Sequence, residues 1–209
     1  MRFDLSKSYE CVRNVLAENM SLRAGMIRLI DYCEMQVPSK AWESIRALDF
    51  EADAVTLRRW LENVLSIEIP AQSIAAFWFG LINPVLGNGQ TTCGLYISGT
   101  TTFDPGDETG DCFCLTGESY LPERRNADSQ VLQETYRAVA GPDAAGIGEY
   151  VLCLGYACMA IRNACEEVGP KLLIGNRESR AVAVGFDSGD FILLGSIGRD
   201  GWQTLKAGH

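Results

Sequence analysis

The run Ile74–Ile82, with the sequence IAAFWFGLI, constrains the fold of this chain more than any other stretch, because it carries no polar side chain on either face. An apolar run of this length is typical of a central strand that is covered from both sides. The next residues, NPVLGNGQ, are rich in turn formers. After them Cys93, Leu95 and Ile97 alternate with Gly94, Tyr96 and Ser98. The pattern predicts an antiparallel hairpin with a long loop.

A second hairpin is predicted near the C-terminal end, where the tetrapeptide DSGD at 187–190 separates the apolar runs 181–186 and 190–195. Aspartate side chains accept amide hydrogen bonds in turns, and Gly189 can supply the positive φ that a short hairpin loop requires. We therefore interpret this acidic tip first as a turn and only second as a candidate contact site.

Helical periodicity dominates the first third of the chain and returns twice later. Apolar residues recur at steps of three and four between Leu22 and Val37, and Asp53 is the predicted N-cap of a further helix that ends before Pro70. Two later helices are predicted, at about 128–140 and 149–168. The second has a stripe of small side chains, which indicates close packing against another element: Cys153, Ala157, Ala160 and Ala164.

These segments together predict an α+β fold. We expect a single domain over residues 1–209, in which residues 1–70 are mainly helical and residues 71–200 form the core that contains the sheet. The predicted sheet is antiparallel, has roughly four to six strands, and is packed by helices.

The charge of the chain limits the kind of partner that it can bind. Its 27 acidic residues outnumber its 18 basic ones, which gives a net charge of −9. A nucleic-acid-binding protein needs clustered lysine and arginine, so nucleic acid is excluded as the expected partner. The longest apolar stretches are far shorter than the ~20 residues of a membrane-spanning helix, and the N-terminal residues lack the apolar core of a signal peptide. We therefore expect a cytoplasmic protein whose eight cysteines are reduced.

Histidine chemistry has almost no place in this sequence, because the only histidine is His209. Catalytic triads that use a histidine base are therefore not expected. The pair Cys112 and Cys114 has a spacing that matches neither structural zinc sites nor thioredoxin-like redox sites. The glycine-rich segment 87–94 leads into a strand and not a helix, so it is not a phosphate-binding loop. No catalytic residue, cofactor or metal site is predicted.

An acidic loop is the other candidate for function. The sequence DPGDETGD at 104–111 holds three aspartates and one glutamate, although its spacing does not fit a calcium-binding EF-hand loop. A solvated acidic loop is the interpretation that we favour over a weak cation site, and contact of the same carboxylates with a basic protein surface is a further alternative.

Four segments carry a resemblance to known proteins: FWFGLINP at 77–84, CGLYISG at 93–99, CLGYACMAIR at 153–162 and VGFDSGDFILLG at 184–195. Over about residues 40–200 the chain resembles uncharacterised bacterial cytosolic proteins of the kind found as immunity proteins beside polymorphic toxins. The resemblance implies an α+β protein that neutralises a toxin by binding it, and it assigns no catalytic residues.

The resulting hypothesis is a non-catalytic module that binds a partner protein, such as a basic toxin domain, through an acidic surface. The residues predicted for that surface are Asp104, Asp107, Glu108, Asp111, Glu118, Asp187 and Asp190. Two alternatives stay open. One is an enzyme that works without histidine, through carboxylates or through Cys112 and Cys114, with or without a divalent metal. The other is a structural subunit of a larger assembly.

Overall fold

The structure, a computed structural model, describes residues 4–104, 119–140, 145–187 and 190–204. Its helices are α1 (Leu5–Ala17), α2 (Leu22–Gln36), α3 (Ala41–Arg46), α4 (Phe50–Ile67), α5 (Gln130–Ala138), α6 (Ala145–Gly148), a π-helical turn (Glu149–Cys153), α7 (Leu154–Val168) and α8 (Pro170–Ile174). Its strands are β1 (Ala76–Ile82), β2 (Gly94–Thr100), β3 (Asn126–Ala127), β4 (Ser179–Phe186), β5 (Phe191–Gly198) and β6 (Gly201–Gln203). No helix among these residues is long and apolar enough to cross a membrane.

The strands form one sheet in the order β3-β2-β1-β4-β5-β6. The predicted α+β fold and both predicted hairpins are confirmed, because β1 pairs with β2 and β4 pairs with β5 in antiparallel register. The pairing of β1 with β4 is parallel, which the sequence did not indicate. This pairing makes the sheet mixed, although its other pairs are antiparallel.

The fully buried residues on the two faces of the sheet differ in size. Phe77 and Phe79 of β1 point into the main core, where they meet apolar residues from the helices on that side. On the opposite face the small residues Ala76, Ala181 and Ala183 are buried around Trp78, and larger, partly buried side chains pack against them: Tyr96, Phe103, Phe191 and Leu193. Residues on both faces of β1 are buried, as predicted for a central strand.

Helix α4 begins four residues earlier than the sequence suggested. Asp49 and not Asp53 is its N-cap, and the Asp49 side chain accepts a hydrogen bond from the Ala52 amide at 3.0 Å. Asp53 lies inside the helix and is only 7% exposed. The prediction for Asp53 was wrong because both aspartates precede an apolar stripe, and local spacing does not tell which of them starts the helix.

Asp53 joins three helices through its buried carboxylate. Its Oδ2 accepts hydrogen bonds from Ser129 Oγ at 2.6 Å and from the Tyr156 hydroxyl at 2.7 Å, and its Oδ1 accepts from the Gln130 amide at 2.8 Å. Ser129 is itself the N-cap of α5. Burial, together with the charge of Asp53, raises the pKa of Tyr156, so the hydroxyl stays a donor. The carboxylate thus fixes α4, the start of α5 and α7 to one another.

Arg180 of β4 is a buried cation that the main chain satisfies. Its Nε donates to the Ile74 carbonyl at 2.9 Å, Nη1 to the Leu173 carbonyl at 2.6 Å, and Nη2 to the Ala71 carbonyl at 2.8 Å. The guanidinium also lies 5.2 Å from the centre of the Phe77 ring. Burial lowers the pKa of Arg180 to about 10, which still leaves it charged at neutral pH. This side chain holds the segment before β1 and helix α8 against β4.

The six cysteines that the structure describes are free thiols, and five of them are buried. Burial raises the pKa of Cys33, Cys158 and Cys165. These thiols behave as small apolar side chains of the core.

Removing the Asp53 carboxylate should destabilise the fold strongly. In Asp53→Ala three donors lose a charged acceptor, and we expect the free energy of unfolding to fall by about 3 kcal/mol. Asp49→Ala is the matched control in the same helix. It removes an exposed N-cap and should cost about 1 kcal/mol. Urea unfolding followed by far-UV circular dichroism measures both values, and equal losses would contradict the role given to Asp53.

Stability should fall at alkaline pH because of the buried thiols. An unfolded cysteine ionises near pH 9, whereas the buried thiols keep their protons above that pH. The folded state then binds more protons than the unfolded state, so stability is constant with respect to these groups below pH 9 and decreases above it. Each such thiol lowers the free energy of unfolding by up to about 1.4 kcal/mol per pH unit.

Urea unfolding from neutral pH to above the ordinary thiol pKa tests this slope. The variant Cys158→Ala removes one buried thiol and should flatten the alkaline slope by the contribution of one group. The same slope in the variant and in the native chain would show that Cys158 ionises equally in both states.

Candidate functional site

The β4–β5 hairpin brings two of the predicted contact residues to one end of the sheet. Asp187 and Asp190 are both exposed and follow β4 where it leaves the sheet. The Phe186 amide donates to the Asp190 carbonyl at 2.9 Å, and this bond closes the hairpin. The predicted hairpin is therefore present and both aspartates are exposed, while the predicted role of Gly189 falls outside the residues that the structure describes.

Tyr96 of β2 holds the first of these carboxylates. Its hydroxyl donates to Asp187 Oδ1 at 2.8 Å and accepts from Trp78 Nε1 at 3.2 Å. The ring reaches Asp187 by lying across Gly80, where a Cβ atom would stand 2.1 Å from Tyr96 Cε1. A glycine at position 80 is thus required for this chain of hydrogen bonds from Trp78 to Tyr96 to Asp187.

Tyr150 of the π-helical turn lies beside the second carboxylate. Burial together with the charge of Asp190 raises the pKa of Tyr150. The ring stacks on Phe186, with 5.8 Å between the ring centres and 19° between the planes. Short π-helical turns are often found at functional sites, and this one places Tyr150 beside the hairpin.

A third tyrosine packs against the hairpin from α1. The Tyr9 hydroxyl donates to the Phe191 carbonyl at 2.7 Å. Burial raises the pKa of Tyr9, the Arg13 guanidinium opposes this shift, and the charge of Asp190 adds to it. We call Asp187, Asp190, Tyr9, Tyr96 and Tyr150 the hairpin-tip cluster.

The carboxylates of the hairpin-tip cluster are not neutralised. In the described ranges no lysine or arginine forms an ion pair with Asp187 or Asp190. Other surface acids are paired, as Asp31 and Glu34 are with Arg46. The Tyr96 hydroxyl orients Asp187 without cancelling its charge, so the negative potential remains available to a partner.

The other predicted contact residues are only partly accounted for. Asp104 is exposed and follows Phe103, which packs on the face of the sheet that holds Trp78. Asp107, Glu108, Asp111 and Glu118, together with Cys112, Cys114 and His209, lie outside the residues that the structure describes.

Two further features of the described side chains bear on chemistry other than binding. Within the part of the chain that the structure describes, no group of three or more histidine, cysteine, aspartate or glutamate side chains converges to hold a metal ion. A cavity of about 240 Å³ lined by residues of α3 and α5 includes Ser44, Glu134 and Arg137. It is smaller than typical small-molecule sites, which span about 300–1,000 Å³, whereas an open depression of about 630 Å³ beside α2 is lined by Arg23, Arg28 and Asp31 among others.

The sequence did not identify the tyrosines of the cluster. The alternation of β2 placed Tyr96 on the other face of the strand from Leu95 and Ile97. It did not indicate the contact with Asp187, which lies 91 positions away in the sequence. Tyr150 sits at the start of the predicted helix at 149–168 and Tyr9 lies in the first helix, so local patterns gave no reason to join them. Comparisons with known proteins find no relative, since no family model, curated protein or solved structure matches the chain.

Replacing Tyr96 by phenylalanine should release Asp187. The variant loses the donor to Asp187 and the acceptor for Trp78, so we expect the free energy of unfolding to fall by roughly 1–2 kcal/mol. Unfolding followed by tryptophan fluorescence measures this loss. Tyr136→Phe, at a half-buried tyrosine outside the cluster, is the control, and an equal loss in both variants would argue against a specific role for the Tyr96 hydroxyl.

Proposed function

We propose that this protein is a non-catalytic protein-binding module that neutralises a partner protein, as an immunity protein neutralises a toxin, and that it acts in the cytoplasm. The observation that carries the proposal is the hairpin-tip cluster, in which two exposed carboxylates lie beside tyrosines and the Tyr96 hydroxyl donates to Asp187. The resemblance of the sequence to immunity proteins points in the same direction.

Ordered carboxylates favour binding because less conformational freedom is lost when the partner arrives. Immobilising a flexible side chain at an interface costs about 0.5–1.5 kcal/mol. Asp187 has already lost this freedom through Tyr96. Tyrosines also are enriched at protein interfaces, where their rings supply apolar contact area and their hydroxyls supply hydrogen bonds.

The expected partner has a basic surface. The chain has a net charge of −9, and the hairpin-tip cluster adds a local concentration of negative charge. Electrostatic complementarity of this kind increases the association rate and selects against acidic partners. A cationic toxin domain, such as a nuclease, is a partner of this type.

The enzymatic alternative draws no support from the described cysteines. Nucleophilic cysteines need a lowered pKa and access to solvent, whereas Cys33, Cys158 and Cys165 are buried and their pKa is raised. We therefore keep binding as the function to be tested first.

The test uses the product of the neighbouring gene as the partner. We expect the purified chain to bind this gene product. We also expect co-expression of the chain to protect cells that produce the gene product. The double variant Asp187→Asn/Asp190→Asn should slow association at low salt by about tenfold, and added salt should reduce this difference. Surface plasmon resonance at several salt concentrations measures the rates.

Glu43→Gln/Glu51→Gln is the control for this experiment. It changes the net charge by the same amount at exposed positions of α3 and α4. An equal effect of both double variants would show that only the total charge matters. Absence of binding and of protection for the native chain would contradict the proposed function.

A further inference from the structure

The loop between β1 and β2, residues 83–93, is an ordered hairpin. Val85 forms an isolated β-bridge with Thr91, the Leu86 amide donates to the Gln90 carbonyl at 2.8 Å, and the Gly89 amide donates to the Leu86 carbonyl at 2.8 Å. Gly89 has a backbone φ of +80°, which residues other than glycine rarely adopt. We call this segment the β1–β2 hairpin loop.

This loop exposes apolar side chains that its own fold does not cover. Val85 is 68% exposed and Leu86 is 38% exposed. Scattered apolar residues on a surface need no explanation, but two consecutive ones on an ordered hairpin form a small convex apolar contact. The backbone hydrogen bonds fix them in position before any partner binds.

The β1–β2 hairpin loop lies at the same end of the sheet as the hairpin-tip cluster. β1 and β4 are parallel, and Leu81 pairs with Phe186, so both strands leave the sheet at one end. The Asp187 amide donates to the Leu81 carbonyl at 3.5 Å. Asn83 at the base of the loop donates to Glu149 Oε1 at 2.9 Å, next to Tyr150. The apolar loop and the acidic tip are therefore parts of one surface.

The charges that the loop, the π-helical turn and the acidic tip contribute to this surface are of one sign, although Arg13 of α1 lies 6.0 Å from the centre of the Tyr9 ring at its edge. Residues 83–93, 149–153 and 186–191 contain no lysine or arginine, whereas they contain Glu149, Asp187 and Asp190. We infer that Val85 and Leu86 are the apolar anchor of the interface and insert into an apolar pocket that a basic rim surrounds on the partner protein. This inference rests on the proposed function and specifies the shape and chemistry of the partner.

A second exposed apolar group lies at the opposite end of the sheet and provides a control. Ile69 is 76% exposed and Leu121 is 47% exposed. Both lie beside Glu68, which accepts hydrogen bonds from the Glu123 and Arg124 amides. The presence of Arg124 and Arg125 in this region makes it less suited to a basic partner.

The experiment compares matched variants against the product of the neighbouring gene. Val85→Ser/Leu86→Ser should weaken binding at least tenfold, mainly through faster dissociation, because an apolar anchor acts after the encounter. Ile69→Ser/Leu121→Ser should change binding less than twofold. Circular dichroism and thermal melting check that both variants keep the fold, as expected for exposed side chains.

A photo-crosslinking amino acid gives a second measurement. Placed at position 85 it should form a covalent adduct with the partner, and placed at position 69 it should not. Dissociation unchanged by Val85→Ser/Leu86→Ser, or a crosslink from position 69 alone, would overturn the inference.

The outcomes separate this inference from the proposed function. If Asp187→Asn/Asp190→Asn weakens binding and Val85→Ser/Leu86→Ser does not, the inference fails and the proposed function stands. If the native chain does not bind, both fail. If sedimentation shows a dimer that Val85→Ser/Leu86→Ser dissociates, the occupant is a second copy of this chain and the inference is wrong.

Discussion

β1 and β4 lie side by side in parallel, from Ala76 paired with Ala181 to Leu81 paired with Phe186. Each strand also begins a hairpin, since β1 turns into β2 and β4 turns into β5. Parallel neighbours end on the same side of a sheet, so the two hairpin connections must lie together. An antiparallel pairing of the same strands would place the acidic tip and the exposed Val85 at opposite ends. The candidate surface therefore depends on this single strand pairing.

Two buried charged groups fix the helices and strands around that sheet. Asp53 of α4 accepts from three donors at the start of α5 and in α7, and Arg180 donates to carbonyls before β1 and in α8. A buried charge is costly unless hydrogen bonds satisfy it, so each group tolerates few other arrangements of its neighbours. This restriction keeps the π-helical turn and its Tyr150 next to the β4–β5 hairpin, because the turn runs directly into α7.

The sequence predicted those parts of the fold that local patterns control. Both hairpins and the helix at 149–168 follow from periodicity and from turn residues that are near in sequence. Features that depend on distant residues were missed. The true role of Asp53 involves a serine 76 positions away, and the Tyr96 bond to Asp187 spans 91 positions. The acidic tip was predicted as a turn and as a candidate contact site. The tyrosines beside it were not predicted, because no short sequence spacing connects them to Asp187 and Asp190.

The way the tip carboxylates are held bears on what they can recognise. When a carboxylate is ordered by an arginine, the cation neutralises much of its charge, as Arg46 does for Asp31. A carboxylate ordered by a phenol keeps its full charge while it loses its freedom, because the hydroxyl is neutral. Tyr96 therefore prepares Asp187 for a cation that comes from outside the molecule, and the neutral Tyr150 lies near Asp190. The apolar anchor at Val85 complements this arrangement, since charge steers the encounter and buried apolar area prolongs it.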